Sequence, residues 1–123
     1  MQSHWIESSL EDQETMQILF DSKKYAWALF IGHISIEKLL KAIYVSKFSH
    51  NAPFTHNLYR LAEQCKLEIN DEIADKLDFI TTFNIEARYD DYKKEFFSQC
   101  TPEFTEKWIN NIKGLIQWLM KML

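Results

Sequence analysis

The sequence predicts an all-α protein: an antiparallel up-and-down bundle of four to five main helices with short additional ones. Three observations lead there. The 123 residues include only two glycines (Gly32, Gly114) and two prolines (Pro53, Pro102), too few for the turns of an all-β fold. Apolar residues recur at helical spacing, with no strand-like alternation of useful length. The length suits a single domain, residues 1–123, large enough to bury a core.

Each element has its own signal. A first helix is expected from about Ser9 to Phe20, with Ser8 and Glu11 at capping-box spacing and Leu10, Met16, Leu19 and Phe20 on its apolar side. A break near Asp21–Lys24 leads into a second helix running to Phe48. Ser49 to Pro53 reads as a loop. A short third helix, about Asn57 to Cys65, puts Leu58, Leu61 and Ala62 on one side. Asn70 caps a fourth through Ile73, Leu77, Phe79, Ile80 and Phe83. Asn84 to Gln99 suits either a helix continuation or a structured loop. Thr101-Pro102-Glu103 combines an N-cap hydroxyl, a proline at the first helical position and an early acid. The last helix then runs to about Met120, with Trp108, Ile109, Ile112, Leu115, Ile116 and Leu119 inward.

Charge and cysteine usage narrow the function classes. Net charge is −4, so the whole molecule presents no basic field for nucleic acid. Its distribution is uneven: residues 1–21 hold five acids and no Lys or Arg, whereas 22–48 hold five lysines against Glu37 alone. Such alternation is expected to pair helix with helix. Cys65 and Cys100 form no CxxC motif, and the N-terminus is polar and acidic, as in a cytoplasmic protein with reduced thiols. Lys and Glu interrupt every apolar run, so no membrane span is expected.

The second helix carries the most pointed feature. Ala26 to Val45 is apolar nearly all round, yet His33, Glu37 and Lys41 stack at four-residue intervals on one face. Buried ionisable groups must be paired or they cost several kcal/mol. A second polar cluster, Glu86-Ala87-Arg88-Tyr89-Asp90-Asp91-Tyr92, offers Arg88, whose planar fork takes a carboxylate or a phosphate. Arg88 is expected either to pair with Glu37, Asp90 or Asp91, or to meet Glu37 and Lys41 in one cleft. His56, at the start of the third helix, is expected to anchor that turn by hydrogen bonding. The histidines lie outside HxxxH and HExxH spacing and the cysteines lack partners, so no metal is expected. Two isolated glycines make neither GxGxxG nor a P-loop, and no nucleophile elbow occurs. No cofactor is implied.

Three stretches, in order, carry a resemblance. WIESSLEDQETMQILFDSKKYAWALFIGHISIEKLLKAIYV resembles the first two helices of HEPN-domain proteins. PFTHNLYRLAEQC resembles their following turn and helix, and NIEARYDDY their Ala-Arg-Tyr segment. The resemblance implies a HEPN-like bundle that commonly forms homodimers with a cleft at the interface. Family members include RNA-cleaving toxins, proteins that partner or neutralise minimal nucleotidyltransferases, and nucleotide-binding accessory domains. The RNases use an Arg followed after four to six residues by a catalytic His. Arg88 matches that arginine, but Lys93, Lys94 and Glu95 stand where the histidine would be. Lysine, with an ordinary pKa of about 10.4, is a poor proton-transfer group near neutral pH.

The leading expectation is therefore a non-catalytic HEPN-like module that dimerises and binds a nucleotide, RNA or a partner nucleotidyltransferase. Its binding residues would be His33, Glu37, Lys41, Arg88, Asp90 and Tyr92, with Glu37 orienting Arg88. The alternatives are a metal-independent RNase toxin whose base is relocated to His33 or His56, and a purely structural oligomerisation module.

Overall fold

A computed structural model describes residues 2–123. Six helices follow one another: α1 (Gln2–Asp21), α2 (Tyr25–Phe48), α3 (Leu58–Gln64), α4 (Asp71–Glu86), α5 (Asp90–Gln99) and α6 (Pro102–Met120). The described residues contain no strand.

Helix α2 is the axis of the molecule and touches each of the other five. Its Leu29, Ile36, Leu39, Leu40 and Ile43 are buried, alongside Leu58 and Leu61 of α3, Leu77, Ile80 and Phe83 of α4, Phe96 of α5, and Ile112 and Leu119 of α6. Burying a side chain of this size stabilises the fold by about 1.5–3 kcal/mol relative to leaving it exposed. That gain offsets the polar groups α2 also buries.

Helices α1 and α2 form an antiparallel hairpin. Trp5 meets Lys41, Ser8 bonds Lys38, and Met16 lies against Gly32, so partners ascend on one helix as they descend on the other. At Gly32 the packing is tight. A Cβ there would lie 2.7 Å from Ile112 Cδ1 and 3.0 Å from Met16 Sδ, so α1, α2 and α6 close on one another where a side chain is missing.

The caps largely follow the sequence. Asn70 Oδ1 accepts from Ile73 N at 2.8 Å, Thr101 Oγ1 from Phe104 N at 3.2 Å, and Asn57 Oδ1 from Arg60 N at 3.0 Å. Helix α1 departs from expectation, beginning by Gln2 and leaving Ser8 and Glu11 in its interior. Ser8 Oγ accepts from Lys38 Nζ instead, so packing against α2 overrides the local capping signal. Leu10, expected inward, is exposed. The open segment Asn84–Gln99 resolves into the end of α4, a break at Ala87–Tyr89, and α5.

Candidate functional site

The polar stripe of α2 is buried as expected: His33, Glu37 and Lys41 are 0%, 5% and 9% exposed. Glu37 is fully engaged. One carboxylate oxygen accepts from Lys41 Nζ at 2.9 Å, one helical turn on, and the other from His56 Nδ1 at 2.8 Å. Lys41 Nζ also lies over the Trp5 ring of α1, 5.5 Å from its centroid, a cation–π contact that shields the pair from water.

His33 grips the same loop at a second point. Its Nε2 lies 2.9 Å from the His56 carbonyl oxygen, which can only accept, so Nε2 carries the proton. Burial pushes the His33 pKa down, and the charges of His56 and Arg88 push the same way against the His56 carbonyl and Glu37. The ring is held neutral, with Nδ1 buried and without a hydrogen-bond partner among the described residues.

The loop from Ser49 to Asn57 is thus docked onto α2 by residue 56, through both its backbone and its ring. Further bonds fix its exit into α3. Asn57 N donates to Thr55 Oγ1, and Leu58 N donates to Thr81 Oγ1 of α4 at 3.1 Å. The His56 side chain is 56% exposed, and its Nε2 has no protein partner among the described residues. Its bond to Glu37 fits the expected anchoring of the turn.

Arg88 does not meet Glu37, contrary to the expectation that Glu37 would pair with or orient it; the Glu37 oxygens instead hold Lys41 and His56. Nor does it pair with Asp90 or Asp91: among the described residues its guanidinium has no carboxylate within ion-pair distance. Its Nε donates to the Asn84 carbonyl at 3.0 Å and its Cζ lies 5.6 Å from the Tyr89 ring, leaving the terminal nitrogens at an exposed turn. Its charge still opposes protonation of His33.

Asp90 and Tyr92 are exposed on the first turn of α5 and open in different directions. Asp90 lines a shallow depression of about 590 Å³ with Lys93, Lys94, Phe97 and Ser98. Tyr92 lines another of about 230 Å³ with Glu86, Glu95, Phe96 and Gln99. The six expected residues therefore divide: His33, Glu37 and Lys41 form one seam, joined through His56, Arg88 stands at the turn between α4 and α5, and Asp90 and Tyr92 belong to α5. What sequence reasoning left out of the site is His56 and Trp5. The Thr-His-Asn start of α3 signalled the first, but nothing local signalled the second.

Both cysteines are buried and unpaired, and burial pushes their thiols up, to about 11 for Cys65 and about 12 for Cys100. Neither offers a thiolate near neutral pH. Among the described residues, no three His, Cys, Asp or Glu side chains gather as a metal-binding group. No described helix is long and apolar enough to cross a membrane.

An all-helical bundle built on a central helix, with a polar seam and an arginine at the turn before its last two helices, defines the class. The HEPN domain family model matches residues 2–123, and the chain belongs to that family. A solved structure, TT1696 from Thermus thermophilus, is similar in fold, with a TM-score of 0.84 at 16% identity, covering 99% of this chain and 98% of that one. A comparison with curated proteins finds no match.

Proposed function

We propose that this chain is a non-catalytic HEPN module that binds the phosphate of a nucleotide or an RNA strand at Arg88, and that it works as a homodimer. The observation that carries the reading is the exposed guanidinium of Arg88, which has no ion-pair partner among the described residues. A planar cation with unfilled donors suits a phosphate, which it can take in a bidentate grip. Tyr89, 54% exposed and with its ring 5.6 Å from the Arg88 Cζ, is an aromatic surface on which a base can stack, and Tyr92, 53% exposed, is another on the first turn of α5. With Ile85, also exposed, they supply apolar area for a second copy. Glu37 and Lys41 serve as scaffold, because their charges already satisfy one another and His56. A minimal nucleotidyltransferase is the partner that family resemblance suggests. Co-purification with such a protein from a neighbouring reading frame tests it.

Calorimetric titration of adenosine monophosphate and of a short RNA into wild type and Arg88→Ala tests the ligand role. Binding by wild type that weakens at least about tenfold in the variant fits the loss of charge-assisted hydrogen bonds. Equal binding in both, or none in either, removes it. One observation favours a second reading: the Glu37–His56 pair has the form of an oriented imidazole base, which metal-independent RNA cleavage would need. RNA left intact by purified protein over long incubation removes that reading.

A further inference from the structure

Lysines gather without carboxylate partners where the α1–α2 turn meets α5. Of the five lysines in residues 22–48, Lys38 and Lys41 pair with acids and Lys47 donates to the Cys65 carbonyl. Lys23 and Lys24, at the turn itself, are exposed and have no ion-pair partner among the described residues. The same holds for Lys94 of α5. Lys93 rests on aromatic rings instead. Its Nζ lies 5.2 Å from the Trp27 centroid and 5.6 Å from that of Phe97. A cation–π contact holds an ammonium in place and leaves its charge uncancelled.

These residues form one continuous strip. A depression of about 270 Å³ is lined by Lys23, Lys24 and Trp27 from the α1–α2 side and by Phe97 from α5. Phe97 also lines the depression of about 590 Å³ that carries Lys93 and Lys94. Trp27 and Phe97 meet edge to face with their centroids 5.7 Å apart, so the two hollows share a wall. Four lysines line the strip against a single acid, Asp90. On a chain of net charge −4 this is a local reversal of sign. Like charges held together repel until an anion meets them.

We infer that the strip binds a single-stranded nucleic acid. The lysines hold successive phosphates, and Phe97, 38% exposed between them, takes a base or a sugar. The spread of cations over two joined hollows suits a chain of phosphates better than one phosphate, and the rings between them suit a ligand that alternates charge with flat apolar surface. The inference goes beyond the Arg88 reading and does not depend on it, because no residue of the strip is needed for the grip at Arg88.

Fluorescence anisotropy with a labelled oligouridylate of about 12 nucleotides, from about 50 to 200 mM salt, tests it. Four phosphate contacts on a single strand predict that the logarithm of affinity falls with the logarithm of salt at a slope of about 2.8. The double substitution Lys23→Gln, Lys24→Gln is expected to lower that slope by about 1.4, and Lys93→Gln, Lys94→Gln by as much. Phe97→Ala should weaken binding about fivefold or more at an unchanged slope. Arg88→Ala should lower the slope by no more than about 0.7, one contact. Failure of wild type to bind the oligonucleotide overturns the inference, as does an unchanged affinity in both lysine pairs. Phosphatidylserine vesicles bound in place of RNA, or lysine-dependent self-association in sedimentation without RNA binding, also overturn it, in favour of a membrane surface or a second copy. If the lysine pairs bind as wild type while Arg88→Ala loses nucleotide, the strip falls and the Arg88 reading stands.

Discussion

The α1–α2–loop region and the α4–α5 turn use charge in opposite ways. In the first, Lys38 pairs with Asp12, Lys41 with Glu37, and His56 with the remaining Glu37 oxygen. In the second, Arg88 makes one bond to a backbone carbonyl, and Asp90 and Asp91 stand exposed without an ion pair among the described residues. Saturated charges within a core hold a structure, whereas an unsaturated cation at an exposed turn is available to something else. His56 sits on the border, with one ring nitrogen committed to the scaffold and the other open.

The comparison breaks most visibly at Glu37. Glu37→Ala strands the buried Lys41 ammonium and frees His56, and stability should fall by about 3–5 kcal/mol in urea unfolding. A variant that keeps its stability and loses only ligand would reverse the assignment of scaffold and site. Arg88→Ala should do the opposite. Its stability should stay within about 0.5 kcal/mol of wild type, as for a surface substitution, while nucleotide affinity falls by about 1.5–3 kcal/mol.

Protons sharpen the contrast. The pKa of His33 is lowered in the fold, chiefly by burial, so the unfolded chain binds a proton there at a pH where the native chain does not. The stability that neutral His33 contributes is complete above the ordinary imidazole pKa of about 6.5 and is lost as pH falls below it towards the depressed folded value. Denaturant unfolding between about pH 7.5 and 5.5 should show this decline, with a shallower slope in His33→Leu. An unchanged slope would mean that His33 is not held neutral by its surroundings. The smallest effect is a control remote from both regions. Gly114 lies in the interior of α6 with nothing within 4 Å of an added Cβ, so Gly114→Ala should raise stability by about 0.5–1 kcal/mol.

Legibility in the sequence followed the range of each interaction. Asn57, Asn70 and Thr101 accept from a backbone N–H three residues on, and each cap could be read from a few neighbouring residues. Ser8 and Glu11 present an equally local signal, but Trp5, Ser8, Ser9 and Asp12 all find partners on α2, and the helix extends through the supposed cap. Around Arg88, charged and aromatic residues share no clear period, so the break between α4 and α5 could not be placed from pattern alone.

The candidate site divides along the same line. The alignment of His33, Glu37 and Lys41 follows from 3.6 residues per turn once α2 is a helix, and the Lys41–Glu37 bond follows with it. The choice of His56 over Arg88 as the other partner of Glu37 does not. His56 lies 19 residues from Glu37 along the chain, and its ring reaches the carboxylate because α3 packs on α2 and α4 while His33 fastens the loop. A helical period is a local property of the backbone. Which two groups from distant segments share a buried carboxylate is decided by how the helices pack, because only packing removes the water that would otherwise solvate both.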